Sequence, residues 1–190
     1  MSGIVSSTGA RSGLIGTTVG IPPVSITHFD MWVANGSTSG QVDPITAWAR
    51  GDDSWGWGFI NSSAPMTLSS GVFTFPATGF WKVYGHFWIR CDTSSDAGIQ
   101  SFLKVTLNNS TWNTITGPTN TANLAGSMGK NDVTNHLNAV VKVTSTTNTK
   151  VRFAHHPTNT STGYTNGTTL LNNTTYYPLT YCSFTRIGDV

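Results

Sequence analysis

Charge is what this chain has least of. Charged residues make up 9% of its 190 positions, against roughly 25% in an ordinary soluble domain. Glutamate is missing altogether, so every acid is an aspartate. Helices lean on Glu, Lys, Ala and Leu, and a chain without Glu is poor material for long ones. Lys and Arg number 10 against 8 acids, a net charge of +2 with no basic cluster. That speaks against a nucleic-acid partner, which calls for a basic stripe along the phosphates. No apolar run approaches the about 20 residues of a membrane span, so no membrane is expected. The chain holds only 2 cysteines, and the clustered spacing of a zinc site is absent. Cys91 and Cys182 each fall in a strand-like run and are expected to be buried free thiols. A disulfide between neighbouring strands is the alternative.

Apolar residues (37%) and aromatics (11%) suffice for one core. Asn, Thr, Ser and Gly supply the polarity, a palette suited to strands and tight turns. Residues 1–23 form a head of small residues ended by Pro22-Pro23. Glycines interrupt each of its apolar pairs and Arg11 is its one charge, so it lacks the basic start and apolar run of a secretory signal. It is expected to be a flexible arm that orders only against a partner.

From residue 24 to 190 the pattern is one of strands. VSITHFDMWVAN alternates over Val24, Ile26 and His28, and closes at the turn pair Asn35-Gly36. Residues 37–58 mix Pro, Gly and Asp with three tryptophans and read as a long structured loop with short strands. FTFPATG (73–79) is a brief strand and turn. FWKVYGHFWIRC (80–91) is the clearest element. Trp81, Val83, Gly85, Phe87, Ile89 and Cys91 share one face, and Lys82, Tyr84, His86, Trp88 and Arg90 the other. SFLKVTLNN (101–109) turns Leu103, Val105 and Leu107 inward, with Lys104 and Thr106 outward. HLNAVVKVT (136–144) turns in Leu137, Ala139, Val141 and Val143. TNTKVRFAHH (147–156) and the closing YYPLTYCSFTRIGDV add two more. Strands with turn-rich links and no helical period describe an all-β, jelly-roll β-sandwich. Residues 108–135 and 157–175 read as its loops.

Catalytic constellations are weak. Asp52-Asp53 are adjacent and would diverge on an extended chain, which makes them a solvated turn rather than an acid–base pair. Asp92 and Asp96 carry oxygen ligands of the kind calcium takes, but their spacing is that of any polar loop. His155-His156 likewise diverge on a strand, one inward and one outward, so neither a zinc site nor any other metal or cofactor is expected. His86 has no nucleophile placed beside it, and no catalytic residue is assigned. Trp48, Trp55 and Trp57 in AWARGDDSWGWGF suit a core or a subunit interface, where Trp is enriched, or a glycan platform. Tyr84, His86 and Trp88 join them as interface or glycan candidates.

FTFPATGFWKVYGHFWIRC resembles the strand-turn-strand of C1q/TNF-like jelly rolls, in which a phrase of the type F-x-x-P-x-x-G-x-Y enters an aromatic-rich strand. Phe75, Pro76, Gly79 and Phe80-Trp81 hold that place here. HLNAVVKVTSTTNTKVRFAHH and SFTRIG resemble the late strands of the same fold. STGARSGLIGT and CSFTRIG are similar to features of structural proteins of marine bacteriophages. The resemblance implies a homotrimer that packs aromatic strand faces around a three-fold axis. It also implies a virion protein made in the host cytoplasm without a signal peptide. Its arm, through Ile4, Val5, Arg11, Leu14 and Ile15, would dock on the major capsid protein or another virion protein. The expectation is a non-enzymatic capsid decoration or cement protein. A tail- or head-fibre tip, or a lectin-like module binding a host glycan, is the rival.

Overall fold

The computed structural model describes residues 26–36, 38–39, 41–51, 65–91, 99–117, 119–120, 131–157, 164–165 and 180–190. These residues form strands and no helix: β1 (Phe29–Ala34), β2 (Thr38–Ser39), β3 (Trp48–Arg50), β4 (Thr67–Ser69), β5 (Val72–Thr74), β6 (Gly79–Cys91), β7 (Ile99–Thr106), β8 (Asn113–Thr116), β9 (Thr119–Asn120), β10 (Asn131–Val143), β11 (Lys150–Pro157), β12 (Tyr164–Thr165) and β13 (Tyr181–Gly188). One sheet runs β10-β6-β13-β1-β3. The second runs β4-β5-β11-β7-β8, with β9 also on β7, and β2 pairs with β12. Every ladder is antiparallel.

The period-2 pattern of β6 explains its place. It pairs along its full length with β10, from Asn131 opposite Cys91 to Val143 opposite Gly79, and on its other edge with β13. Alternation then forces Trp81, Val83 and Phe87 into the gap between the sheets, where all three are fully buried. They meet Phe73, Leu103, Val151 and Phe153 of the facing sheet. Phe73 is central: its ring lies 4.9 Å from Phe184, 5.4 Å from Trp32 and 6.0 Å from Phe153. Burial of each such ring contributes roughly 1.5–3 kcal/mol. Gly85 is required by this crowding, since a Cβ there would stand 2.7 Å from the Phe87 ring and 3.1 Å from Phe153. The turn from β4 to β5 is Ser70-Gly71, both at positive φ (49° and 79°), as a tight hairpin demands.

One charge is buried with the core. Asp30 is 4% exposed on the inward side of β1. Arg50 of β3 grips it through Nε (3.1 Å) and Nη2 (3.2 Å), and Met66 N–H donates to the same carboxylate at 2.9 Å. Arg50 also donates to the Met66 carbonyl at 2.5 Å and lies over the Trp32 ring at 4.7 Å. Burial pushes the Asp30 carboxyl above its ordinary pKa, and the guanidinium only partly offsets that.

Several expectations are corrected. The first strand begins at Phe29, and Ile26 is 49% exposed. Leu107 is also outward, 61% exposed, while Thr106 is buried. The reason is local: β7 ends at Thr106, and the Asn108 side-chain oxygen Oδ1 accepts from the backbone N–H groups of Ser110 (3.0 Å) and Thr111 (2.8 Å), turning the chain. Residues 108–135 are not all loop, because they hold β8, β9 and the first part of β10. Residues 157–175 contain β12.

Candidate functional site

Even-numbered residues of β6 from Phe80 to Trp88 face away from the core by the same alternation that buries Trp81, Val83, Gly85 and Phe87. Register brings two neighbours beside them: His86 stands opposite His136 of β10 and opposite Tyr181 of β13. The rings make a continuous cluster across three strands. His86 stacks on Tyr181 at 4.9 Å and 12°, and meets His136 edge to face at 4.9 Å and 72°. Tyr84 Oη lies 2.7 Å from His136 Nδ1, and its ring is 6.0 Å from that of Tyr181. Burial, and next Tyr181, push the Tyr84 hydroxyl above its ordinary pKa.

The cluster is half open. His136 is exposed, while Tyr84, His86 and Tyr181 are half-buried. Trp88 is half-buried at the next outward position, where its backbone N–H donates to Thr180 Oγ1 at 3.0 Å. On the other side Val140 is 59% exposed, flanked by exposed Lys82 and Lys142. The face is thus aromatic and histidine-rich at its centre and cationic at one end.

Among the candidates from sequence, Tyr84, His86 and Trp88 do share this face. Trp48 does not. It is 7% exposed, packs between the rings of Phe73, Phe87 and Phe153, and donates its indole N–H to the Ile45 carbonyl at 3.0 Å. Its place is the core, which takes it out of the set of surface platforms. Trp55 and Trp57, the arm residues Ile4, Val5, Arg11, Leu14 and Ile15, and the aspartates Asp52, Asp53, Asp92 and Asp96 lie outside the described residues. His136 and Tyr181 escaped sequence reading. Each sits at the correct parity in its own alternating run, but nothing in one run tells which strand it will lie beside.

The other reactive side chains are sequestered. His155 is buried against the edge of Phe87 at 5.6 Å, and burial, with His156 next, lowers its pKa to about 3. His156 points the other way, half-buried beside Phe102 at 5.0 Å. Cys182 is a free, fully buried thiol whose pKa is raised by burial and then by Asp30. It pairs with Gly85, whereas Cys91 ends β6. At about 3.4 Å per residue the two cysteines stand roughly 20 Å apart along the strand, which excludes a disulfide between them. Among the described residues no three His, Cys, Asp or Glu converge on a metal position, and no helix is long and apolar enough to cross a membrane.

No protein-family model matches the chain, and no curated protein matches it by sequence. Solved structures do match. The structure of Eiger TNF from S. frugiperda superposes with a TM-score of 0.62 at 14% identity, covering 87% of this chain and 96% of that one. Murine APRIL superposes with a TM-score of 0.55 at 9% identity, covering 84% of this chain and 98% of its own in the crystal structure at pH 8.5. At these identities the likeness is one of fold. Two antiparallel sheets, with no helix among the described residues, and the superposition on TNF structures over most of the chain make the fold a TNF-like jelly roll.

Proposed function

We propose that this protein is a non-enzymatic structural module that assembles as a homotrimer through the outer face of the five-stranded sheet. Residues 1–23 are its anchoring arm, and the particle it decorates is first of all a virion capsid. The observation that carries the assembly reading is the ring cluster of Tyr84, His86, His136 and Tyr181, which is half open on a sheet face. Rings of this kind, amphipathic and held in fixed orientations, are the residues that make central interface contacts. A three-fold arrangement is what the resemblance to C1q/TNF-like jelly rolls implies for aromatic strand faces. The anchoring role rests on the composition of the arm, whose glycines allow close backbone approach and whose Ile4, Val5, Leu14 and Ile15 are small apolar contacts. Burial of Trp48 weakens the rival glycan reading by removing one of its three tryptophans from the surface.

The test is the mass in solution of the full chain and of the chain lacking residues 1–20, each then mixed with undecorated particles. Two trimers, with only the full chain bound, support the reading. Two monomers remove the assembly, and equal binding by the shorter chain removes the arm as anchor.

A further inference from the structure

We propose that residues 42–45 are an acid-releasable strap, which closes the free edge of β11 over His155 and opens when that imidazole takes a proton. β7 pairs with one edge of β11 along its whole length, but β5 covers the other edge only from Lys150 to Arg152. The strap takes over from there. Val42 N–H donates to the His155 carbonyl at 3.0 Å, His155 N–H donates back to the Val42 carbonyl at 2.9 Å, and Ile45 N–H donates to the Phe153 carbonyl at 2.8 Å. Asp43 fastens it further, on Lys104 Nζ at 2.5 Å and Arg152 Nε at 2.9 Å. The strap borders the six-stranded sheet, away from the proposed interface, so it does not depend on the assembly.

Register decides what the strap covers. His155 has two cross-strand partners, Ser101 on β7 and Val42 on the strap, so the imidazole lies between their side chains on the inner face. Phe87 of β6 meets it from the facing sheet at 5.6 Å, and β10 brings the Asn135 amide, which donates to Ser101 Oγ at 3.1 Å. The imidazole Nδ1 is buried without a hydrogen-bond partner. Among the described residues no carboxylate shares this inner face. Asp43, Lys104 and Arg152 pair with one another on the other side of the sheet, and His156, next along β11, turns outward to Phe102. A positive His155 would therefore stand without a counter-ion, a costly state for a buried group. Its relief is water, and the strap is the weakest wall around it. The ladders of β11 with β7 and of β6 with β10 run over eight and thirteen residue pairs, whereas the strap holds by three backbone bonds and Asp43. Ile45, 3% exposed, keeps it closed while the imidazole is neutral. Local openings of this size are normal in folded domains.

The experiment is amide hydrogen exchange of the full chain at pH 7 and pH 4.5, read as protection factors. The amides of Val42, Ile45 and His155 report the strap, and those of the β6–β10 ladder report global unfolding. At both pH values the strap amides should be at least about tenfold less protected than the ladder, because they open without it. An imidazole that regains its ordinary pKa on opening favours the open form roughly thirty- to a hundredfold more at pH 4.5 than at pH 7, and strap protection should fall by that factor. In H155L the fall should vanish; H155Q, polar but not titrating, replaces it if the leucine variant does not fold. D43N should lower strap protection at both pH values and leave the fall in place. Strap amides as protected as the ladder, or equally protected at the two pH values, overturn the proposal. So does a fall that survives in H155L or H155Q, or one that disappears in D43N, which would make Asp43 the trigger.

Discussion

The two sheets finish their outer faces in opposite ways. On the six-stranded sheet the charges settle among themselves. Asp43 is bound by Lys104 Nζ at 2.5 Å and by Arg152 Nε at 2.9 Å, and Trp112 lies over the Arg152 guanidinium at 4.2 Å. All three charged side chains are four-fifths or more covered. On the five-stranded sheet the corresponding region holds Tyr84, His86, His136 and Tyr181, with rings in contact, His136 exposed and the other three half-buried. A face whose charges are paired and roofed by an aromatic has little to gain from a partner. A face of oriented rings that remains partly wet gains whatever area a partner covers. This difference, more than the aromatic count of either face, is why the proposed assembly uses the five-stranded sheet.

That contrast can be broken at its foundation first. Arg50→Ala strips the counter-ion from buried Asp30, and removing one partner of a buried pair costs about 3–5 kcal/mol. Because Arg50 is 31% exposed at the side chain, the lower end, about 3 kcal/mol, is expected in urea denaturation. The loss should appear in the monomer whatever the assembly state. A result under about 1 kcal/mol would mean that the pair holds neither β1 nor the Met66 segment.

Acid sharpens the comparison next, because His155 lies in the core and acts on folding. Its folded pKa, about 3, lies below the ordinary 6.5. The unfolded chain therefore takes up the proton first, so stability is complete above about pH 6.5 and drains as pH falls toward 3. The expected loss attributable to His155 is about 2 kcal/mol by pH 4.5. In His155→Leu the slope of unfolding free energy between pH 6.5 and 4.5 should flatten by that amount; an unchanged slope would assign the acid loss to other groups.

Tyr181→Ala then tests the open face. Truncating a central interface ring costs about 2 kcal/mol or more in association, so the proposed trimer should dissociate at micromolar concentration. The fold should lose less, since the ring is only half-buried. Sedimentation would read the first effect and thermal melting the second. The smallest effect belongs to the closed face. Asp43→Ala leaves Lys104 and Arg152 facing each other, and should cost about 1 kcal/mol in stability with no change of mass. If Asp43→Ala dissociates the trimer and Tyr181→Ala does not, the two faces have been assigned the wrong way round.

Much of this was legible beforehand where alternation is strong. The facing of Trp81, Val83, Phe87, Leu137, Val141 and Val143 follows from period-2 runs, because their outward neighbours are polar or amphipathic, Phe80 and Val140 excepted. It failed where a side chain bends the backbone, as Asn108 does after Thr106, and where the inward residue is polar. Asp30 lies inward because Arg50, 20 residues later, neutralises it, and Asn135 because its amide donates to Ser101 Oγ at 3.1 Å. Hydrophobic pattern has no term for such distant partners.

The chain by itself therefore determined the all-β class, the aromatic core and the two faces of β6, since those depend on composition and on neighbours two residues apart. Only the tertiary structure decided that His86 lies between His136 and Tyr181, that Trp48 turns inward, and that Cys91 and Cys182 stay separate. Those outcomes depend on strand order and register, which arise from packing residues 50 to 100 positions apart, and no local spacing encodes them.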